Sequence, residues 1–298
     1  MALELLALRA AGVGDLLTAV PALRAVAGLG PDGVTLAAPR WLHPLAPLLP
    51  GVSDVVDVQG LDPQTDLSGK VVFNLHGRGP QSHRALLEKG PRDLVAFRCP
   101  GVWEFGPQWF THDVEEPERQ RFARLLEWVG VSCDPDDVGI KRPANPPAVG
   151  QAVVLHVGGT DAHRRWPAES FAALARLLGS DNLVITGGPG DLVTANRTAK
   201  LAGLDAAQVL AGRLTLDDFA AVIANARLVV SGDTGGAHLA HAFGTPSVVV
   251  FGPSSPGQWG PPPGIPSHVL RAGGPAPVAS DVPVDEVYAA VLWQLEQA

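Results

Sequence analysis

Four short stretches of the chain combine glycine with acids, hydroxyls or guanidinium groups. Gly12-Val13-Gly14-Asp15 sets a carboxylate just past a glycine turn. Asp15 there either caps the helix that follows, a position Asp favours, or stands as an acid at the edge of a cleft. Gly158-Gly159-Thr160-Asp161-Ala162-His163-Arg164-Arg165-Trp166-Pro167 offers close backbone approach, a hydroxyl and two planar forks. Arg164 and Arg165 suit phosphate oxygens by geometry, although two arginines on a loop can also be simply solvated. Gly187-Gly188-Pro189-Gly190-Asp191 can bring backbone against a ribose or phosphate, with Asp191 available for hydroxyls. Such turns also follow strands in many α/β proteins. In Ser231-Gly232-Asp233-Thr234-Gly235-Gly236-Ala237-His238 an acid and a glycine turn open a helix. The free N–H groups and positive dipole end of that helix make an anion site. Asp233 can hold sugar hydroxyls there and Thr234 a phosphate oxygen, unless the turn is only a tight cap.

Other chemistries lack their patterns. Leu17 occupies the third glycine position of G-x-G-x-x-G, so the first loop is not a dinucleotide fingerprint. No G-x-S-x-G elbow presents a serine nucleophile. His238 and His241 are three residues apart with no third ligand at zinc spacing, which predicts core or supporting histidines and no metal. Cys99 and Cys133 match no metal or redox spacing and are expected as two buried thiols.

These loops need elements to hold them. Leu3–Arg9 reads as a strand, followed after the glycine turn by one helix through Leu16, Leu17, Val20, Leu23 and Val26. Gly33–Ala38, Val55–Val58, Val71–Leu75 and Leu94–Phe97 read as further strands, with a short proline-broken helix over Trp41–Leu49. A charged helix is predicted from about Pro117 to Val129. Lys141–Gly150 is proline-rich and disfavours helix and sheet alike, so it is read as a linker. The alternation then restarts. Ala152–Val157, Leu183–Thr186, Leu228–Ser231 and Ser247–Phe251 are predicted strands, with Val209–Leu210 a short one. Pro167–Leu178, a segment ending near Leu201, Thr215–Asn225, Thr234–Phe243 and Asp281 to the C-terminus are predicted helices. Strands alternating with helices imply α/β architecture with parallel sheets covered on both faces. Trp259 is expected to anchor the closing loop.

A length of 298 residues with 46% hydrophobic side chains suits two domains of ordinary size. They are placed at 1–145 and 146–298. A formal charge of −8 argues against a nucleic-acid partner, whose phosphates want a basic face. No apolar run approaches the ~20 residues that span a bilayer, and no basic segment precedes the apolar N-terminus as in a signal peptide. A cytoplasmic protein without a transmembrane segment is expected.

The order and spacing of the four stretches resemble glycosyltransferase family 9, the group of ADP-heptose:lipopolysaccharide heptosyltransferases. Arg9-Ala-Ala-Gly-Val-Gly-Asp15 with Leu16 to Arg24 looks like that family's opening. Arg164-Arg165-Trp166-Pro167 resembles its Lys-Arg-Trp-Pro segment. Gly232–Ala240, Gly244-Thr-Pro246 and Phe251-Gly-Pro-Ser-Ser-Pro256 look like its donor signature, and Asn74–Ser82 resembles a segment of some members.

The resemblance implies a GT-B fold, two facing Rossmann-like domains with parallel sheets, the acceptor site N-terminal and the donor site C-terminal. It implies an inverting, metal-independent transfer of a sugar, heptose in the best-known case, from a nucleoside diphosphate. ADP is the expected nucleotide, and the acceptor a hydroxyl of a cell-envelope glycan or glycolipid. The nucleotide-sugar is a substrate and no cofactor is implied. A transient contact with the inner membrane surface is compatible with such an acceptor.

Asp15 falls where the family's proposed catalytic base lies. Thr234, Gly235 and Gly236 match the backbone that cradles the diphosphate, and Asp233 the acid near the donor sugar. Thr160 and Arg164 match positions contacting phosphate, and Leu214 the side chain that packs the adenine. Arg165 and His238 fall inside the same motifs. Two departures stand out. The family's phosphate lysine is Arg164, and the ribose acid is not cleanly placed, with Asp191 the nearest candidate. A GT-B nucleotide-sugar epimerase, a non-catalytic nucleotide-binding protein and an NAD-dependent oxidoreductase are the alternatives.

Overall fold

The computed structural model describes residues 3–111, 115–159 and 161–297. Two compact units make up the chain, residues 1–141 and 142–298, and the division falls at the head of the proline-rich stretch.

In the first unit β1 (Leu5–Leu8) leads into α1 (Val13–Thr18) and α2 (Val20–Ala27). The single helix expected here is two. Pro21 sits in the first turn of α2 and has no N–H to extend the ladder of α1, so the chain resets at Ala19. β2 (Val34–Ala37), a 3₁₀ turn over Arg40–Leu48 and β3 (Val52–Val56) follow. β3 starts and ends earlier than the sequence suggested. The Asp57 carboxylate accepts the N–H groups of Arg40 and Val58, which turns the chain out of the sheet into a short antiparallel pair, β4 (Val58–Gln59) and β5 (Asp62–Pro63). β6 (Val71–Asn74), α3 (Gln81–Leu87), β7 (Asp93–Val95) and α4 (Glu118–Trp128) complete the unit. The large sheet is parallel in the order β3-β2-β1-β6-β7.

The second unit runs β8 (Val153–His156), α5 (Ala168–Leu178), β9 (Leu183–Thr186), α6 (Leu192–Ala202), α7 (Leu216–Ala224), β10 (Leu228–Gly232), α8 (Gly235–Phe243), β11 (Ser247–Phe251), α9 (Pro256–Trp259), β12 (Ser267–Arg271) and α10 (Val284–Gln297). Its sheet is parallel in the order β12-β11-β10-β8-β9. Val209 adds one parallel bridge to Ile185 on the outer side of β9. With that bridge counted as a strand, the unit has the Rossmann order 3-2-1-4-5-6. The first unit has the same order without the sixth strand.

β9, β10 and β11 are buried along their whole length, as expected of strands covered on both faces. Gly203 and Gly244 take left-handed conformations that end α6 and α8, positions where a Cβ would be strained. No helix among the described residues is long and apolar enough to cross a membrane.

In both units the strand order reverses beside the first strand, between β1 and β6 and between β8 and β10. Ligands of open parallel sheets bind beyond the strand ends at such a reversal.

Candidate active site

At the reversal of the second unit, the 157–166 loop leaves β8 and the Asp233 turn leaves β10. The loop is pinned by Trp166, which is buried, donates its indole N–H to the Val282 carbonyl at 3.0 Å and meets Phe171 edge-on. The buried tryptophan therefore fixes the two arginines just before it.

Arg164 Nη2 donates to the Asp233 carbonyl at 2.7 Å and to its carboxylate Oδ2 at 2.5 Å. Ser254 donates to the same Oδ2 at 2.6 Å, and His238 Nε2 lies 3.5 Å from Oδ1. Asp233 is almost wholly buried. Burial by itself would raise its carboxyl, but the contacts with His238, Ser254 and Arg164 outweigh that and hold it below the usual carboxylate range. Arg164 Nε is buried and has no partner among the described residues. This guanidinium is thus engaged by Asp233, with part of its donor capacity uncommitted.

Thr234 begins α8 in extended conformation, and no side chain caps the helix. Its hydroxyl is 2.8 Å from Ser231 Oγ. The first N–H groups of α8, at Gly235 and Gly236, therefore point out of the helix without an intrahelical partner. Arg165 donates through Nε to the Gly159 carbonyl at 2.5 Å and reaches Asp191 Oδ1 at 3.5 Å, while Asp191 Oδ2 accepts the Gly188 N–H at 2.9 Å. Asp191 and Arg165 therefore brace the two glycine turns against each other. Leu214 is half-buried, next to the Thr215 cap of α7. Of the expected donor residues, Arg164, Arg165, Asp233 and Thr234 lie on the two loops of this reversal, Gly235, Gly236 and His238 on the first turns of α8, and Asp191 on the turn after β9, which Arg165 reaches. Thr160 lies outside the described residues. Trp259 is half-buried against Ala237, Val249 and Phe251, with its ring 6.2 Å from His238.

The sequence did not single out His156, the last residue of β8. Its ring lies beneath Gly158 and Gly236 and stacks on Phe219 of α7, centroids 5.0 Å apart. A polar residue ending an apolar strand next to a Gly-Gly turn was the available signal.

At the reversal of the first unit, Arg9 is 1% exposed. Its Nε donates to the Asp15 carbonyl at 2.7 Å, Nη1 to the Leu75 carbonyl at 2.7 Å, and Nη2 to Glu118 Oε2 at 2.8 Å, with Asp15 Oδ1 at 3.5 Å. One guanidinium thus ties the loop after β1 to the loop after β6. Asp15 Oδ2 accepts the Gly12 N–H at 3.0 Å, so the capping role is present, yet 40% of its side chain remains exposed. His76 is half-buried with Nδ1 unpartnered among the described residues. Burial, then the charge of Arg9, pushes its imidazole down against a smaller pull from Asp15. In the Asn74–Ser82 segment, Asn74 Nδ2 donates to Ser82 Oγ at 2.9 Å and approaches His83 Nδ1 at 3.2 Å, and His83 Nε2 lies 2.7 Å from the Phe97 carbonyl.

Cys99 and Cys133 are both free thiols. Cys133 is buried, as expected; burial and then nearby acids push its thiol up to about 11. Cys99 is only half-buried. Among the described residues no three His, Cys, Asp or Glu side chains gather as metal ligands would.

Residues 130–269 match the model of glycosyltransferase family 9 (heptosyltransferase). The chain is 38% identical over 112 residues to lipopolysaccharide heptosyltransferase 1 of Salmonella typhimurium, a match covering 37% of this chain and 34% of that protein. The matched stretch therefore spans about a third of that relative's length. Among solved structures, a family 9 glycosyltransferase from Veillonella parvula superposes with a TM-score of 0.80 at 19% identity, covering 100% of this chain and 99% of that one. The E. coli heptosyltransferase WaaC with ADP gives 0.75 at 20% identity, covering 98% and 100%. At these identities the structures establish the fold, α/β of the GT-B class. The sequence match and the second unit's loops together identify residues 130–269 as a glycosyltransferase family 9 region.

Proposed function

We propose that the protein is an inverting glycosyltransferase that moves a sugar, heptose being the leading candidate, from a nucleoside diphosphate to a hydroxyl of a cell-envelope glycan or glycolipid. ADP is the nucleotide favoured by the likeness to the E. coli enzyme described with ADP. The observation that carries the reading is the reversal between β8 and β10. An uncapped helix start stands there beside Arg164 and an ionised Asp233. An anionic diphosphate suits the helix start and the guanidinium, and a polyhydroxylated sugar suits the carboxylate.

In the reaction, the acceptor oxygen forms a bond to the anomeric carbon as that carbon's bond to the diphosphate breaks. The electron pair leaves on the diphosphate, where the N-terminus of α8 and Arg164 stabilise the growing charge. Asp15 takes the acceptor's proton. Neither a metal nor a cofactor is needed, because the leaving charge is met by protein groups. The protein works from the cytoplasmic side, touching the inner membrane surface transiently if its acceptor is lipid-borne.

The test is ADP release from ADP-heptose with a core-glycolipid acceptor in the presence of EDTA. Acceptor-dependent release with a glycosylated product is expected. Asp15→Asn should lose at least about 10²-fold in turnover while binding ADP as the parent does. Equal turnover in that variant would remove Asp15 from the chemistry. Conversion of the donor sugar without any acceptor would make the protein an epimerase instead.

A further inference from the structure

We propose that His156 contacts the ligand directly, its Nε2–H donating to a phosphoryl oxygen of the nucleoside diphosphate. The inference rests on the reading of the second unit as a nucleoside-diphosphate site and adds a residue to it.

Its placement comes from the sheet. His156 ends β8, the first strand of its unit and one of the two that flank the reversal. The residue is 8% exposed. Two contacts hold the ring. Nδ1 lies 3.0 Å from the hydroxyl of Thr186, the last residue of β9, and Phe219 stacks on one face with 29° between the planes. What remains is the edge carrying Nε2 and Cδ2, which lies beneath both glycine turns. A Cβ on Gly158 would stand 2.8 Å from Nε2, and one on Gly236 would stand 2.9 Å from Cδ2 and 3.3 Å from Nε2. These two residues are therefore glycine because the imidazole edge occupies the space a side chain would need.

Nε2 has no hydrogen-bond partner among the described residues, although the residue is more than nine-tenths buried. It is the ring's one uncommitted polar atom, and the residue's small remaining exposure leaves it open to an acceptor. Around it lie the start of α8, a helix of nine residues without a side-chain cap, and Asp191 Oδ2, which a Cβ on Gly158 would meet at 2.9 Å and which accepts the Gly188 N–H. An acceptor arriving between Gly158 and Gly236 would meet both Nε2 and the start of α8. Burial keeps the ring neutral, so it carries one N–H. If the Thr186 hydroxyl donates to Nδ1, that hydrogen sits on Nε2, the tautomer an anion favours. Arg165 is committed to the Gly159 carbonyl and to Asp191.

The experiment uses the full chain and calorimetric titration with ADP, with inorganic pyrophosphate as a second probe. His156→Asn places an amide near Nδ1 and can keep the Thr186 contact while losing the Nε2 donor. His156→Gln reaches to about the Nε2 position. A hydrogen bond to a charged group contributes about 1.5–3 kcal/mol, so His156→Asn should weaken ADP by about tenfold or more. His156→Gln should stay within about threefold of the parent. The ¹⁵N resonance of Nε2 should shift on adding ADP, a response that a ring buried only for packing would not give.

Equal weakening in both variants with no Nε2 shift would overturn the proposal and leave His156 as a packing residue, as would unchanged binding in His156→Asn. Thermal melts distinguish a variant that has failed to fold, and the parent's Nε2 resonance tests the contact without any variant. If the parent binds pyrophosphate with the Nε2 shift but not ADP, the nucleotide assignment fails and the His156 contact stands. If it binds neither, both fall.

Discussion

Asp15 illustrates how a single carboxylate can serve two ends. One oxygen accepts the Gly12 N–H and starts α1, while the side chain stays open enough to meet a substrate. The sequence left capping and chemistry as alternatives, and the geometry accommodates both. Burial of histidine has a measurable consequence at this scale. His156 is pushed down from 6.5 to about 4 by burial alone. Its unfolded form takes a proton near 6.5 and its folded form resists one until about 4, so stability falls as pH drops through that window. The slope from this group approaches 1.4 kcal/mol per pH unit. Urea unfolding of the parent at pH 7 and pH 5 should show a larger loss than the same measurement on His156→Gln. Equal losses would mean that the ring is not buried in the neutral form. Asp233 acts in the same direction but in a lower window. Its lowered carboxyl adds stability above the usual 3.8 that disappears only in stronger acid, so it leaves the pH 5 to 7 comparison untouched. Most of the polar residues at the reversal between β8 and β10 could be read from the sequence, because glycine, Asp, Thr and Arg clustered in short loops. His156 was passed over there, and Glu118 in the first unit. His156 sits at the end of an apolar strand, two residues before Gly158, while Glu118 reaches Arg9 only through the fold.

Elements set the two reversals, and their junctions should be sensitive to small changes. Gly236 lies in the first turn of α8, where Ala would ordinarily gain about 1 kcal/mol in helix propensity. Its Cβ would meet the His156 ring at 2.9 Å, and that ring is wedged between Phe219 and Thr186. Overpacking of this kind costs about 1–3 kcal/mol, so Gly236→Ala should lower the melting temperature and weaken ADP binding. A rise in melting temperature would show that the ring can move aside. Arg9 does for the first unit what the His156 contacts do for the second. Arg9→Met leaves Glu118 with Thr18 as its remaining partner in that network. Breaking one side of a buried ion pair costs about 3–5 kcal/mol, a loss that urea unfolding would detect. Arg9→Met combined with Glu118→Gln should lose less than the sum of the two, because the stranded charge is gone. The strands on which these junctions depend were readable as apolar runs. The split between α1 and α2 was not foreseen, since the apolar spacing runs through it and only the missing Pro21 N–H breaks the ladder. β12 and α3 were missed for a different reason. β12 is an edge strand, half-buried and carrying Ser267, His268 and Arg271, so it has no apolar signature. α3 buries mainly Ser82, His83 and Leu86, two of them polar.

At the scale of the whole molecule, the two halves repeat one strand order without sharing a sequence pattern. The first-strand reversal carries Arg9 and Asp15 in one unit and His156, Arg164 and Asp233 in the other. Strand order did not follow from the sequence, because alternating strands and helices fit several parallel sheets, and Val209 contributes a single bridge. The donor residues proposed here all lie within 142–298. That unit has its own buried cluster, from Leu155 and Trp166 through Val230 and Val250 to Val291. Its first residues are tied to it as well. The Arg142 guanidinium donates to the Ala224 carbonyl, and Asn145 donates to Asp218 at 3.1 Å. A segment of this size with buried clusters of its own is expected to fold alone. Residues 142–298 expressed by themselves should therefore unfold in one urea transition and bind ADP within about tenfold of the full chain, a loss of no more than about 1.4 kcal/mol. They should turn over no acceptor, because Asp15 is absent. A folded fragment that does not bind ADP would place an essential donor contact in the first unit. Acceptor glycosylation by the fragment alone would exclude Asp15 as the base by a route independent of any point substitution.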